Sequence, residues 1–325
     1  MKKFLYLLAF VVYFTSASAI DYNGKADTLV VARDGTGQFR NIGDAIAVCH
    51  AFKEYRKVIY VKTGVYKEKV VIPSDLVNIE ICGEDVDKTI LTYDDNANVP
   101  IPNTDKKLGT SGSYTIRVVG NNITFKNITI ENSAGRVGQA VALHTDGTRL
   151  VFINCRLLGN QDTVYTRSKN TSLYFRNCYI EGTTDFIFGA STVWFEGCTI
   201  HSKQDSYITA ASTPEDVAYG YVFNHCKLTA ADGVKRVFLG RPWRPFAYVL
   251  FMNCEYGSHI LPEGWHNWGR AENEKTARYL EYNNTGEGSS VSKRVDWSRQ
   301  LTKTEAEKIT LENVFGNDCD WIPVE

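Results

Sequence analysis

Two carboxylates stand out for their neighbours. Asp162 lies in "GNQDTVY" (Gly159–Tyr165) and Asp185 in "TTDFIFG" (Thr183–Gly189), both among large apolar side chains. Burying an acid in such company is unfavourable unless something compensates. Asp162 follows Cys155 by seven residues, and Asp185 follows Cys178 by seven. If the cysteines mark equivalent positions of stacked repeats, the acids lie one strand spacing apart, about 4.8 Å. Two carboxylates so close do not both ionise freely, and one pKa rises. Such a pair can supply a nucleophile or base beside an acid. Asp205 also sits seven residues after a cysteine, Cys198, so the offset alone leaves three candidates. Gln161 adjoins Asp162, and Gln139 lies one repeat earlier in "GQAVALH". Amide N–H groups of this kind can stabilise an oxyanion. "FLGRPWRPF" (Phe238–Phe246) adds Arg241 and Trp243. Arginine can hold a carboxylate ionised through two parallel hydrogen bonds, and tryptophan offers a flat face for a sugar. The plainer readings are hydrogen-bonded acids in turns and a surface loop with a structural ion pair.

The elements that would position these groups are repeats. "FINC" (Phe152–Cys155) recurs as "FRNC", "FEGC", "FNHC" and "FMNC", ending at Cys178, Cys198, Cys226 and Cys254. An earlier copy, "FKNI" (Phe125–Ile128), carries Ile instead of Cys; successive copies are 27, 23, 20, 28 and 28 residues apart. Each copy reads as a short strand, a tight turn at Asn or Gly, and another strand. Periods of 20–30 residues with few helical patterns indicate a solenoid. The expected fold is all-β, a right-handed parallel β-helix with the five cysteines in an interior column. These are either small buried hydrophobes or, for the pair nearest in sequence, Cys178 and Cys198, a disulfide. "NIGDAIAVC" predicts a helix behind an Asn41 cap, closing the N-terminal end of the solenoid. "TKTEAEKITLENVF" (Thr302–Phe315) opens with a Thr302/Glu305 capping-box pattern and predicts a C-terminal helix packed outside.

Composition narrows the classes. The chain has 325 residues and a formal charge of −1, which gives no electrostatic argument for nucleic acid. Lys2 and Lys3, an apolar run from Phe4 to Phe14 and Ala17-Ser18-Ala19 form a secretory signal, residues 1–19, too short to span a bilayer. Residues 20–325 then read as one domain with a formal charge of −3. Secretion places the chain outside the cell, where Asn122, Asn127, Asn170 and Asn283 are glycan acceptors. No later stretch reads as a membrane span. There is no G-x-S-x-G elbow, no H-E-x-x-H and no paired C-x-x-C; "DGTG" (34–37) is half of a dinucleotide fingerprint. The six histidines form no suggestive pattern.

Read in order, "GVYKEKV" (64–70), "GQAVAL" (138–143), "QDTVY" (161–165), "DFIFG" (185–189) and "LGRPW" (239–243) resemble the pectin methylesterases, or pectinesterases. The similarity spans nearly all of residues 20–325. It implies hydrolysis of the C6 methyl esters of homogalacturonan, with methanol released and pectate left. It implies Asp185 as nucleophile, Asp162 as acid and then base, Gln139 and Gln161 as oxyanion donors, and Arg241 as the group that orients Asp185. Trp243, Tyr165 and Phe188 would line the sugar cleft, with Thr110 in "GTSGSYT" as a further contact. The family needs no cofactor or metal, and the chain is expected to act as a monomer on the polysaccharide. Val164 and Thr184 stand where the family often has Leu and Val, next to the reaction centre, and bear on subsite preference. Two other readings compete: a polygalacturonase or pectate lyase on the same fold, and a pectin-binding protein without activity.

Overall fold

The computed structural model describes residues 28–323. The signal reading of residues 1–19 lies outside the described residues. Within them, short strands wind into three sheets of eleven, seven and eight strands, and every strand pairing is parallel. This is a parallel β-helix, as the repeat implies. A complete coil contributes one strand to each sheet and rests on the coil before it, and the ends add strands to the eleven-stranded sheet alone.

The "F-x-x-C" repeat specifies the register. Phe125, Phe152, Phe175, Phe195, Phe223 and Phe251 pair in line along the eleven-stranded sheet. Their buried rings stack inside the coil with centroids 4.3–5.0 Å apart. Stacked pairs add about 0.5–1.5 kcal/mol each beyond the area they bury. A one-residue slip would turn every ring outward. Two residues on, Asn127, Asn154, Asn177, Gly197, His225 and Asn253 turn the chain into the eight-stranded sheet with φ between 50° and 59°, and Asn283, two after Glu281, continues the corner with φ 49°. That left-handed region suits Gly and Asn and penalises β-branched side chains. The asparagines also bond along the corner, as in Asn154 Nδ2 to Asn127 Oδ1 at 2.8 Å. The sequon asparagines Asn127 and Asn283 thus sit in this corner, not in a strand interior.

The cysteine column is present, and its members are free thiols. Of the two readings of Cys178 and Cys198, the structure has the buried free thiols and not the disulfide. Stacked coils present the two side chains in parallel, whereas a disulfide needs Cβ atoms about 3.8 Å apart and aimed at each other. Four of the five instead donate to the carbonyl of the phenylalanine one coil earlier: Cys178 to Phe152 at 3.4 Å, Cys198 to Phe175 at 3.7 Å, Cys226 to Phe195 at 3.4 Å and Cys254 to Phe223 at 3.5 Å.

The ends depart from expectation in detail. The first helix, Ile42–Ala47, buries Ile42, Ala45 and Ile46 over the first coils. Asn41 does not cap it; its amide donates to Asp44. Glu68, from "GVYKEKV", caps the helix by accepting from the N–H groups of Ile42 and Gly43, both at 2.9 Å. At the other end the single expected helix is two short ones, Lys303–Ala306 and Leu311–Phe315. The Thr302/Glu305 capping box is formed. Thr310 then starts a second helix by accepting from the Asn313 N–H, so it interrupts the first. Ala306, Val314 and Ile322 pack on the outer face of the eleven-stranded sheet, against a cluster that includes Val151, Val222 and Leu250.

The corner supplies a direct test of this architecture. Asn177 is solvent-exposed with φ 53°. Asn177→Val should lose about 1–3 kcal/mol in urea unfolding, whereas Asn177→Gly should stay within about 1 kcal/mol of the parent.

Candidate active site

The seven-stranded sheet carries the acids. Val164 pairs with Ile187, and Ile187 with Thr209. Two residues before these partners stand Asp162, Asp185 and Tyr207, so the register makes one column of them. The N–H of Asp162 donates to Thr184 O at 3.1 Å, and that of Asp185 to Tyr207 O at 2.8 Å. Cys155 to Val164 and Cys178 to Ile187 are both nine residues, but Cys198 to Thr209 is eleven. The two extra residues carry Asp205 out of the column. It is exposed and accepts from the Lys235 and Arg236 N–H groups. Register thus separates the pair from the third candidate. Both acids adopt left-handed backbone, φ 67° at Asp162 and 49° at Asp185. Such conformations in non-glycine residues concentrate at functional sites. A Cβ on Gly182 would lie 2.2 Å from the Phe186 Cβ, so the turn before Asp185 needs glycine.

Arg241 reaches Asp185 from the next-but-one coil. Its Nε donates to Oδ1 at 2.9 Å and its Nη2 to Oδ2 at 2.7 Å. This is the bidentate geometry in which arginine fixes a carboxylate's position and charge. A Cβ on Gly240 would meet Thr209 Oγ1 at 1.9 Å, so only glycine lets this strand approach closely enough. The guanidinium is clamped between the Tyr207 and Trp268 rings, 3.9 and 3.8 Å from its Cζ to their centroids. Neither ring was identified from sequence. Tyr207 was legible in principle, as the column's third member; Trp268, on a loop with φ 66°, left no pattern.

The two acids have different surroundings. Asp162 and Asp185 are both buried, at 7% and 6% exposure. Burial, and then the Asp185 charge, push the Asp162 carboxyl well above the usual carboxylate range, with Arg241 opposing. Among the described residues its carboxyl has no hydrogen-bond partner. Burial also raises Asp185, against the hydrogen bonds and charge of Arg241. The acids titrate as a pair. The bidentate contact makes Asp185 the member that ionises first, and its charge then holds the proton on Asp162.

A cleft of about 630 Å³ opens over the pair. Gln139, Gln161, Thr110, Tyr165, Phe188, Arg241 and Trp243 line it, so every site residue expected from sequence converges there. Gln139 and Gln161 face each other across a single bridge between coils, and among the described residues neither side-chain amide has a protein partner. Tyr165 stacks on Phe188 with centroids 4.2 Å apart and planes 6° apart, and Trp243 meets both edge-on. Phe186 and Ile187 point the other way, fully buried in the core. Val164 also lies in the core, and Thr184 bonds Ser206 at 2.8 Å. Neither departure from the family pattern lines the cleft. The rim bearing Thr110 is held by Lys69, whose ammonium donates to Gly112 O at 2.6 Å and pairs with Asp95.

Comparison with known proteins agrees with this geometry. The sequence profile of the pectinesterases matches residues 28–318. The chain belongs to the pectinesterase family. It is therefore a carboxylic ester hydrolase. It is 39% identical to pectinesterase 31 of Arabidopsis thaliana over 85% of this chain and 88% of that one. The pectin methylesterase of carrot has the same fold, with TM-score 0.85 and 31% identity over 91% of this chain and 97% of that one. A pectin methylesterase solved in complex with a hexasaccharide gives TM-score 0.80 and 29% identity over 91% and 98%. The chain spans about half the length of several plant relatives named pectinesterase/pectinesterase inhibitor.

The raised Asp162 pKa has a consequence for stability. A carboxyl whose folded pKa exceeds its unfolded value, about 3.9, stabilises the fold fully only below that value. The contribution is lost as pH rises through the folded pKa. Asp162→Asn should therefore raise the melting temperature at pH 7 more than at pH 3.5, as calorimetry at the two pH values would show.

Proposed function

We propose that this pectinesterase hydrolyses the C6 methyl esters of homogalacturonan outside the cell, as a monomer with one catalytic domain over residues 20–325. The observation that carries the residue roles is the Arg241 fork on Asp185 beside an unbonded, buried Asp162. An Asp185 oxygen attacks the ester carbonyl carbon. The oxygen of that carbonyl takes the negative charge and accepts N–H donation from the Gln139 and Gln161 amides. Collapse breaks the bond to the methoxy oxygen, which takes the Asp162 proton and leaves as methanol. The galacturonyl group remains joined to Asp185 as an anhydride. Asp162, now a carboxylate, removes a proton from water, and the hydroxide adds to the galacturonyl carbon. Collapse frees the galacturonic acid, which gives its proton to solvent, and restores ionised Asp185 and protonated Asp162. Tyr165, Phe188 and Trp243 offer apolar faces to the sugar rings, and Thr110 borders them.

The two unpaired glutamine amides favour this reaction over glycoside cleavage. An ester oxyanion needs N–H donors, whereas a glycosidase needs a carboxylate pair around an oxocarbenium ion.

Asp185→Asn should reduce methanol release from methylated pectin by at least about a thousandfold while the protein remains folded. Normal turnover in that variant removes the nucleophile assignment. Gln161→Ala should lower kcat by about 10²–10³, with KM changed far less.

A further inference from the structure

His144 takes no part in the reaction, yet it lies where the floor of the cleft meets its rim. It directly follows "GQAVAL" and is buried, with 1% exposure. Strand register puts it in line with two cleft residues: His144 pairs with Tyr165, and Tyr165 with Phe188. The three rings form one stack, with centroids 4.8 Å apart from His144 to Tyr165 and 4.2 Å from Tyr165 to Phe188. Tyr114 meets the imidazole edge-on at 6.0 Å.

A phenylalanine could complete such a stack, so the two ring nitrogens need their own account. Nδ1 lies 3.2 Å from the Ser111 carbonyl oxygen. Leu108, Gly109, Thr110 and Ser111 line the cleft as its rim, so this contact joins rim to floor. Nε2 is buried and faces Asp146 Oδ2 at 3.4 Å, but makes no hydrogen bond among the described residues. That carboxylate is already occupied: Arg117, Arg167 and the Ser168 hydroxyl donate to it at 2.8–3.0 Å. Burial, against the Asp146 charge, lowers the His144 pKa to about 4. The ring is therefore neutral at pH 7 and has a single N–H. Only Nδ1 has the geometry of a hydrogen bond, so the proton belongs there.

We propose that His144 is a positioning residue of the esterase site: its Nδ1–H, donated to Ser111 O, fixes the rim that carries Thr110 against the Tyr165–Phe188 floor and so sets the width of the cleft. The inference rests on the pectinesterase reading and extends it to how the site holds a sugar. The imidazole is closed off from solvent and acts through Ser111 and Tyr165. Asp162 and Asp185 are placed by coil register, independently of the rim. Loss of the tie therefore weakens binding and leaves the chemical step in place. Lys69 on Gly112 O at 2.6 Å and Asn132 Nδ2 on Ser113 O at 2.9 Å still hold the far end of the rim. The rim then loosens at Thr110 and Ser111 without detaching.

Two variants separate the tie from the packing. His144→Phe keeps a ring in the stack and removes the donor. His144→Asn puts an amide N–H near the Nδ1 position and removes the ring. Methanol release is followed over a range of methylated-pectin concentrations, beside melting profiles. His144→Phe should raise KM about five- to tenfold, the effect of one hydrogen bond, with kcat within about twofold of the parent. His144→Asn should melt lower than His144→Phe, because it leaves a void against Tyr165, yet keep KM within about twofold of the parent. An unchanged KM in His144→Phe, a KM that rises as melting temperature falls across the two variants, or a loss of kcat alone overturns the tie. The parent gives a reading that needs neither variant to be active: ¹⁵N NMR of the His144 ring at pH 7 should show the proton on Nδ1, and a proton on Nε2 overturns the proposal. Absence of methanol release by the parent overturns the pectinesterase reading instead.

Discussion

In-register stacking of parallel coils is the constraint on which everything else in this molecule rests. Neighbouring coils repeat at about 4.8 Å, and the phenylalanine ladder fixes which residue lies over which. A coil two residues longer keeps the ladder but moves whatever its loop carries. That is why Asp162 and Asp185 meet while Asp205 serves as an anchor for another loop. The chemistry is an outcome of loop length measured against a fixed core.

Stacking also creates the electrostatic problem that the site uses. Two carboxylates in adjacent coils, both buried, cannot ionise together. Arg241 lies on one side of the pair and bonds Asp185 alone. Its position depends on Gly240 for close approach and on Tyr207 and Trp268 for a fixed orientation. The asymmetry turns two chemically identical acids into a nucleophile and a proton donor. The same coil stacking continues through Tyr165 and Phe188 into the sugar-facing wall, so one register positions the reacting groups and the binding surface together.

Much of this was legible before the structure. The "F-x-x-C" period reported the coil, because the interior tolerates one ring and one small side chain at each level. The acids were legible because they fall at equal offsets from that period, and the amides because one adjoins Asp162 and the other lies one repeat earlier. The choice between free thiols and a disulfide was not, since spacing cannot reveal that stacked cysteines point in parallel. Glu68 as the helix cap was hidden because its partner lies 26 residues away. The break at Thr310 was hidden within a continuous helical pattern, where a threonine cap competes with helix interior. Trp268 arrives from a loop with no periodicity, so nothing local marks its place against Arg241.

The central claim is that Arg241 divides the acid pair, leaving Asp185 ionised while Asp162 keeps its proton. The most direct measurement is a ¹³C NMR titration of aspartate carboxyl groups in the free enzyme, with the two resonances assigned by Asp162→Asn and Asp185→Asn. The account predicts that the Asp185 carboxyl ionises at the lower pH and that Asp162 remains protonated across the range in which Asp185 is charged. Ionisation of Asp162 first, or of both groups together at ordinary carboxylate pH, would contradict it.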